Sequence, residues 1–334
     1  MKLGRRVFRI RPRFYPPFLS PLSIFITGCL FCSVLLIFSC RTLFTSIEEE
    51  KNLSSIHTWV YQVQNVEIPA LENSSYDLVV IDYSRDGTEY GMWSIREIDQ
   101  LKKSGNGKIV LAYLSLGEAE SYRWYWESGW ISGNPFWLGQ ENPEWPENYK
   151  VQYWDDKWKN IVKEYLTKII NQGFDGVYLD GIDSYEYWSD PFNRESLSLL
   201  VTEAADRMVS LVVELGEYAR IQSGKSDFIL CTQNGTGICQ DATNRSSFLN
   251  GIDAVAAEDV FYPGEEAMDN PYNPQKEVLE DLSYFRREGK QVVSVEYLSQ
   301  TNVTAIEQYY QTARKYGFIP YAANRDLDTL RLER

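Results

Sequence analysis

Asp82, Glu118, Asp180, Glu258 and Glu296 each stand at or just past the end of a short apolar run, and Gln233–Asn234 and Asn324–Arg325 close two more such runs. Crowding acids in this way costs stability through repulsion and desolvation unless the crowding is used. Two chemistries use it. Oxygen ligands can hold magnesium or calcium. Alternatively, glycosidic bond cleavage needs one carboxyl protonated to donate to the leaving oxygen and one ionised to attack or to activate water. Mutual repulsion raises some carboxyl pKa values and so supplies the protonated partner near neutrality. The chain has a single histidine, His57, so zinc sites built on paired histidines and Ser-His-Asp arrangements have little raw material. His57 itself reads as a first-strand or surface residue.

Something must carry these acids to one place. The apolar runs are "HTWVYQV" near 57, "DLVVIDY" near 77, "KIVLAYLSL" from 108, "GVYLD" from 176, "FILCTQ" from 228, "IDAVAAE" from 252, "QVVSVEYL" from 291 and "FIPYAA" from 318. Continuous β-branched and apolar runs suit strands buried on both faces, as in parallel sheets. Between them lie helical patterns. Leu197, Leu200, Val201, Ala204, Met208, Leu211, Val212 and Leu215 recur at spacings of one, three and four, and Trp158, Ile161, Val162, Tyr165, Leu166 and Ile169 form a second stripe ended by Gly173. Eight strands with intervening helices predict an α/β protein with a single (β/α)8 TIM barrel over 55–334, whose catalytic groups project from the C-terminal strand ends. A doubly wound open sheet ranks second, because no Gly-rich loop follows the first strand.

Residues 119–154 interrupt this rhythm. The stretch is too long for a plain strand-to-helix loop, and it holds Trp124, Trp126, Trp130, Trp137, Trp145 and Trp154, six of the ten tryptophans. Flat aromatic faces bind the C–H faces of sugars and also cations, and a loop after a barrel strand lies over the active face. The competing reading is a self-packed mini-core; both hold if part of the cluster packs in order to present the rest. Trp124 and Trp126 are the expected substrate contacts from this insertion.

Charge narrows the partners. Six of the 33 basic residues, Lys2 to Arg13, stand in the first 40 positions, which hold no acid, and from residue 41 onward 27 basic residues face 47 acidic ones. Such a body repels phosphate backbones, which argues against nucleic acid and for neutral or cationic substrates. The basic start and the uncharged run from Phe18 to Cys40 read as an export signal over 1–40, followed by a short linker over 41–54. It ends in cleavage and lipid attachment at Cys40, since "IFSC" resembles a lipobox, in a retained span, or in cleavage and simple secretion. In all three cases the expected body lies outside the cytoplasm. Only Cys231 and Cys239 lie beyond the signal; a disulfide is allowed, and two buried thiols are favoured because Cys231 sits within an apolar run.

"GFDGVYLDGIDSYEYW", "IVLAYLSLGEAESYRWYW", "DLVVIDYSRDG" and "GFIPYAANRDLD" together resemble glycoside hydrolase family 114 and its uncharacterised exported relatives, over about residues 55 to 330. The resemblance implies a (β/α)8 barrel related to endo-α-1,4-polygalactosaminidases, which cut partly deacetylated, cationic galactosamine chains. It also implies catalytic carboxylates at the ends of the fourth and sixth strands, which match Asp180 and Glu258. Asp180 would be nucleophile or base and Glu258 general acid, with the reverse order open. Asp82, Glu118, Asn234, Glu296 and Tyr297 join Trp124 and Trp126 as expected substrate contacts. No cofactor and no metal are expected. The Trp-rich insertion departs from the polygalactosaminidase pattern and so bears on the substrate more than on the reaction. A surface protein that binds sugar without cleaving it, and a metal-dependent hydrolase, are the alternatives.

Overall fold

The computed structural model describes residues 53–331 except 194 and 196–198. The expected signal, the lipid site at Cys40 and nearly all of the linker therefore lie outside the described residues. Within them, eight parallel strands form one sheet in the order in which the chain makes them. They are β1 (Trp59–Tyr61), β2 (Leu78–Ile81) and β3 (Ile109–Ser115), then, after a small antiparallel sheet of β4 (Glu118–Glu120), β5 (Leu138–Glu141) and β6 (Asn148–Val151), the strands β7 (Gly176–Asp180), β8 (Ile229–Gln233), β9 (Ala254–Glu258), β10 (Gln291–Tyr297) and β11 (Ile319–Ala323). All eight barrel strands fall on the runs that the sequence predicts.

Helices separate them: α1 (Ile68–Glu72), α2 (Ile95–Lys103), α3 (Asp156–Gln172), α4 (Ser184–Ser189), α5 (Val201–Ser223), α6 (Ile238–Asp241), α7 (Arg245–Gly251), α8 (Lys276–Arg287) and α9 (Val303–Tyr316). Their ends follow local chemistry. Ser94 and Glu97 make a reciprocal capping box at the start of α2. Asp155 caps α3, which stops at Gly173 with φ of 86°. The buried stripe of α3 is Trp158, Val162, Tyr165, Leu166 and Ile169, and that of α5 includes Ala204, Met208, Leu211, Val212 and Leu215.

The last strand approaches the first and nearly closes the barrel. The Trp59 indole donates to the Ile319 carbonyl at 2.9 Å, and Val63 N–H donates to Leu327 O at 3.0 Å. Register then decides what faces the axis. Tyr61 is level with Val80, Val80 with Leu111, Tyr113 with Tyr178, Tyr178 with Cys231, and Glu258 with Val295. Because side chains alternate along a strand, Trp59, Tyr61, Tyr113, Tyr178, Asp180, Gln233, Glu258, Tyr297 and Tyr321 share the inner face. Trp59 and Tyr178 centre 6.4 Å apart, Tyr61 and Tyr178 4.9 Å, and Trp59 and Tyr321 5.9 Å. This aromatic plug fills the barrel, and the polar groups stand above it at the strand ends.

Cys231 and Cys239 are free, buried thiols. His57 is exposed, with its backbone N–H donating to Asp77 at 2.8 Å.

Candidate active site

A cleft of about 490 Å³ opens at the C-terminal ends of the strands, and both Asp180 and Glu258 line it. Asp180 ends β7, and Gly181, at φ of 74°, turns the chain out of the strand where a residue with a Cβ would meet the Gly117 backbone. One Asp180 oxygen accepts from Gly181 N–H at 2.8 Å and the other from the Tyr113 hydroxyl at 2.9 Å. Glu258 ends β9, two strands further round with β8 between; with ~4.8 Å between strands, the two Cα positions are ~10 Å apart, near enough for the side chains to converge. Glu258 accepts from Asn234 Nδ2 at 2.8 Å and from the Tyr297 hydroxyl. Burial, then the charges of Glu258 and Asp183, push the Asp180 carboxyl up to about 8. At neutral pH Asp180 thus keeps its proton.

Asp82, Glu118, Glu120 and Asp259 each meet a cation, whereas Asp86, which lines the cleft, accepts from Ser84 and Thr88. Arg123 lies buried between Asp82 and Glu120, at 2.7 Å from Asp82 Oδ2 and 2.6 Å from Glu120 Oε2. Burial opposes its charge, but the two carboxylates outweigh burial and raise its pKa. Glu118, on β4, pairs with Lys150 of β6 and accepts from Asn142 at 2.8 Å. Asp259 holds Arg325 through both oxygens, at 2.7 and 3.2 Å, and the guanidinium lies 3.7 Å from the centre of the Tyr297 ring. Among the described residues, Asp180 and Glu258 have no cation partner; their donors are hydroxyl, amide and backbone N–H groups. No three metal-ligating side chains of the His, Cys, Asp or Glu type come together among the described residues.

Two expectations are corrected. Glu296 does not reach the cleft: it is fully buried, and its carboxylate accepts the backbone N–H groups of Phe261 at 2.8 Å and Tyr262 at 3.1 Å. Alternation explains this, because Tyr297 faces the axis and its neighbour must face the helices. Glu296 therefore fastens the loop after β9, and burial pushes its carboxyl up to about 8. Trp124 and Trp126 also fail to line the cleft. Trp124 packs on Tyr125 and Tyr165, and Trp126 on Trp130 and Tyr149. The mini-core reading holds for most of the insertion, which is organised by β4, β6 and β5.

Of the remaining expected contacts, Asp82, Glu118 and Tyr297 line the cleft, whereas Asn234 stands behind Glu258 and holds it. Sequence reasoning missed Tyr61, Tyr113, Glu120, Tyr122, Arg123 and Trp145 in the lining. The alternation rule reveals the inward tyrosines of β1 and β3 once one inward residue is fixed. Nothing in the sequence marks Arg123 as the partner of an acid 41 residues away.

This arrangement, a barrel with two uncompensated carboxyls at the ends of its fourth and sixth parallel strands, can be compared with known proteins. Residues 45–333 match the profile of glycoside-hydrolase family GH114. The chain belongs to that family. Uncharacterised proteins of Methanocaldococcus jannaschii and Thermotoga maritima are 40% and 39% identical to it, over 81% and 89% of this chain and 77% and 88% of theirs. Among solved structures, the glycoside hydrolase domain of PelA from Pseudomonas aeruginosa aligns with a TM-score of 0.60 at 18% identity, covering 82% of this chain and 97% of that one. Aspergillus fumigatus Ega3, in complex with galactosamine, aligns with a TM-score of 0.58 at 17% identity, covering 81% and 92%. Identities so low speak for the shared barrel. The GH114 membership makes the chain an O-glycosyl hydrolase, the family that its sequence motifs resemble.

Proposed function

We propose that this GH114 protein cleaves a polysaccharide containing cationic amino-sugar units, acting like an endo-α-1,4-polygalactosaminidase, with Asp180 and Glu258 as its catalytic carboxyls. The observation that carries this reading is that Asp180 and Glu258, at the ends of the fourth and sixth barrel strands, face one cleft with neutral donors and no cation partner among the described residues, and that burial raises the Asp180 carboxyl so that it keeps its proton at neutral pH. One carboxyl passes its proton to the glycosidic oxygen as the bond from that oxygen to the anomeric carbon breaks. The other meets the developing positive charge, by direct attack or by taking a proton from water whose hydroxyl reaches the anomeric carbon. After direct attack, water hydrolyses the glycosyl ester; on either route one water proton stays in the new anomeric hydroxyl and the other returns to the pair, replacing the one given to the leaving oxygen.

Charge supports the amine. Seven acids and three arginines line the cleft, and the chain beyond residue 41 is strongly acidic. In a partly dehydrated cleft a uronate polymer meets repulsion, while protonated amino groups are attracted. Galactosamine bound to the structurally similar Ega3 agrees with this preference. The test is to incubate the protein with partly deacetylated polygalactosamine, its fully acetylated form and polygalacturonate, and to look for released oligosaccharides by mass spectrometry. Products are expected from the first at the greatest rate, and less at high salt. Faster cleavage of the uronate would overturn the substrate assignment.

We also propose that the body is exported and held at the membrane, by lipid at Cys40 or by a retained span. The basic start and the uncharged run that follows support this. Recovery of the full-length protein free in the culture medium would contradict it.

A further inference from the structure

Six tryptophans stand in or at the border of the insertion, and five of them are occupied by other rings. Trp124 packs on Tyr125, Trp126 on Trp130, Trp130 on Trp137, Trp137 on Trp158, and Trp154 on Trp188, at centroid separations of 5.7, 5.3, 4.9, 5.3 and 5.6 Å. Trp145 differs. It is 47% exposed, lines the cleft, and stacks on no ring among the described residues. Tyr122, the other exposed ring of the insertion at the cleft, is already committed: its face meets the Arg123 guanidinium and its hydroxyl donates to Glu120 at 2.8 Å.

The turn that displays Trp145 is fixed. Trp145 N–H donates to Asn142 O at 3.2 Å, Asn148 N–H to Trp145 O at 3.2 Å, and Asn142 N–H to Asn148 O at 2.7 Å. The Asn142 side chain accepts from Glu144 N–H at 3.1 Å and donates to Glu118 at 2.8 Å, and Glu118 is itself paired with Lys150. This hairpin between β5 and β6 is thus tied to β4. Holding a large flat ring still at the cleft before binding lowers the entropy lost when a ligand arrives. Asn148, three residues on, also lines the cleft, and its side-chain amide has no hydrogen-bond partner among the described residues.

We infer that Trp145 is a stacking platform for a pyranose ring of the amino-sugar chain, at a subsite separate from the one where the bond breaks, with Asn148 beside it for a ring hydroxyl. The inference rests on the substrate reading given above and adds a determinant of chain length. Separation from the bond-breaking subsite follows from the architecture: Asp180 and Glu258 project from barrel strands β7 and β9, whereas Trp145 sits at the tip of a hairpin outside the barrel. The C–H face of the sugar lies on the indole, and a protonated amino group adds a cation–π contribution. A chain too short to span both places gains nothing from it.

The experiment uses the full-length chain carrying Asp180→Asn, so that ligands stay intact, and measures binding of the α-1,4-galactosamine disaccharide and octasaccharide by calorimetry. The octasaccharide is expected to bind more tightly. Adding Trp145→Ala should weaken octasaccharide binding about tenfold and leave the disaccharide unchanged, while Trp145→Phe should stay within about threefold of the parent. Equal effects at both lengths, or no effect at the octasaccharide, would overturn the platform and leave the substrate reading standing. Failure of the parent protein to bind either oligosaccharide would overturn both.

Discussion

The two sides of the cleft treat their acids in opposite ways. On the side of β2 and the insertion, Asp82 and Glu120 share Arg123, and Glu118 holds Lys150. On the side of β7 and β9, Asp180 and Glu258 receive only neutral donors, from Tyr113, Gly181, Asn234 and Tyr297. A cation favours the ionised form of a carboxylate and makes it part of the wall. Hydroxyl and amide donors orient a carboxyl while leaving its proton free to move, which acid–base chemistry requires. Acid content alone therefore does not locate a glycosidase site; the partners of each acid do.

The comparison breaks first if the unpaired side can be neutralised without consequence. Asp180→Asn and Glu258→Gln keep shape and remove ionisation, so each is expected to lower kcat/KM by at least ~1000-fold with the fold intact. Near wild-type turnover in either variant, with circular dichroism confirming the fold, would remove that residue from the chemistry.

The paired side should fail differently. Arg123→Met leaves Asp82 and Glu120 buried without their cation, and stability is expected to fall by ~3–5 kcal/mol in denaturant unfolding. A loss below ~1 kcal/mol would show that the acids of the wall do not depend on their cation. A smaller effect sharpens the contrast. Tyr297→Phe removes one neutral donor from Glu258 but keeps the ring on which Arg325 lies, so kcat is expected to fall roughly tenfold, with stability nearly unchanged. An unaltered kcat would mean that Asn234 alone suffices to place Glu258.

Much of this fold was legible because its strands are buried on both faces, which writes them as unbroken apolar runs, and because the main helices end at readable signals such as Asp155 and Gly173. Asp180 and Glu258 could be placed from the end of a run. Glu296 stands one residue before Tyr297, and alternation along β10 turns it away from the axis that Tyr297 faces, so its place near the end of a run misleads. The insertion was readable as aromatic and not as a map of which tryptophan is free, since that depends on packing against α3 and α4 from elsewhere in the chain. Arg123 was silent for the same reason: its worth comes from contacts that span 41 residues.

The central claim is that Asp180, on the unpaired side, holds a proton at neutral pH. Infrared difference spectra of wild type minus Asp180→Asn test it without any substrate, through the carbonyl stretch of a protonated carboxyl. Burial and the neighbouring charge of Glu258 raise Asp180 from an ordinary 3.8 to about 8, so the protonated form is present below that value and is lost as pH rises through it. The account expects the signal at neutral pH and its disappearance near pH 8, in step with a falling kcat/KM. A spectrum in which Asp180 is already ionised at neutral pH would contradict it.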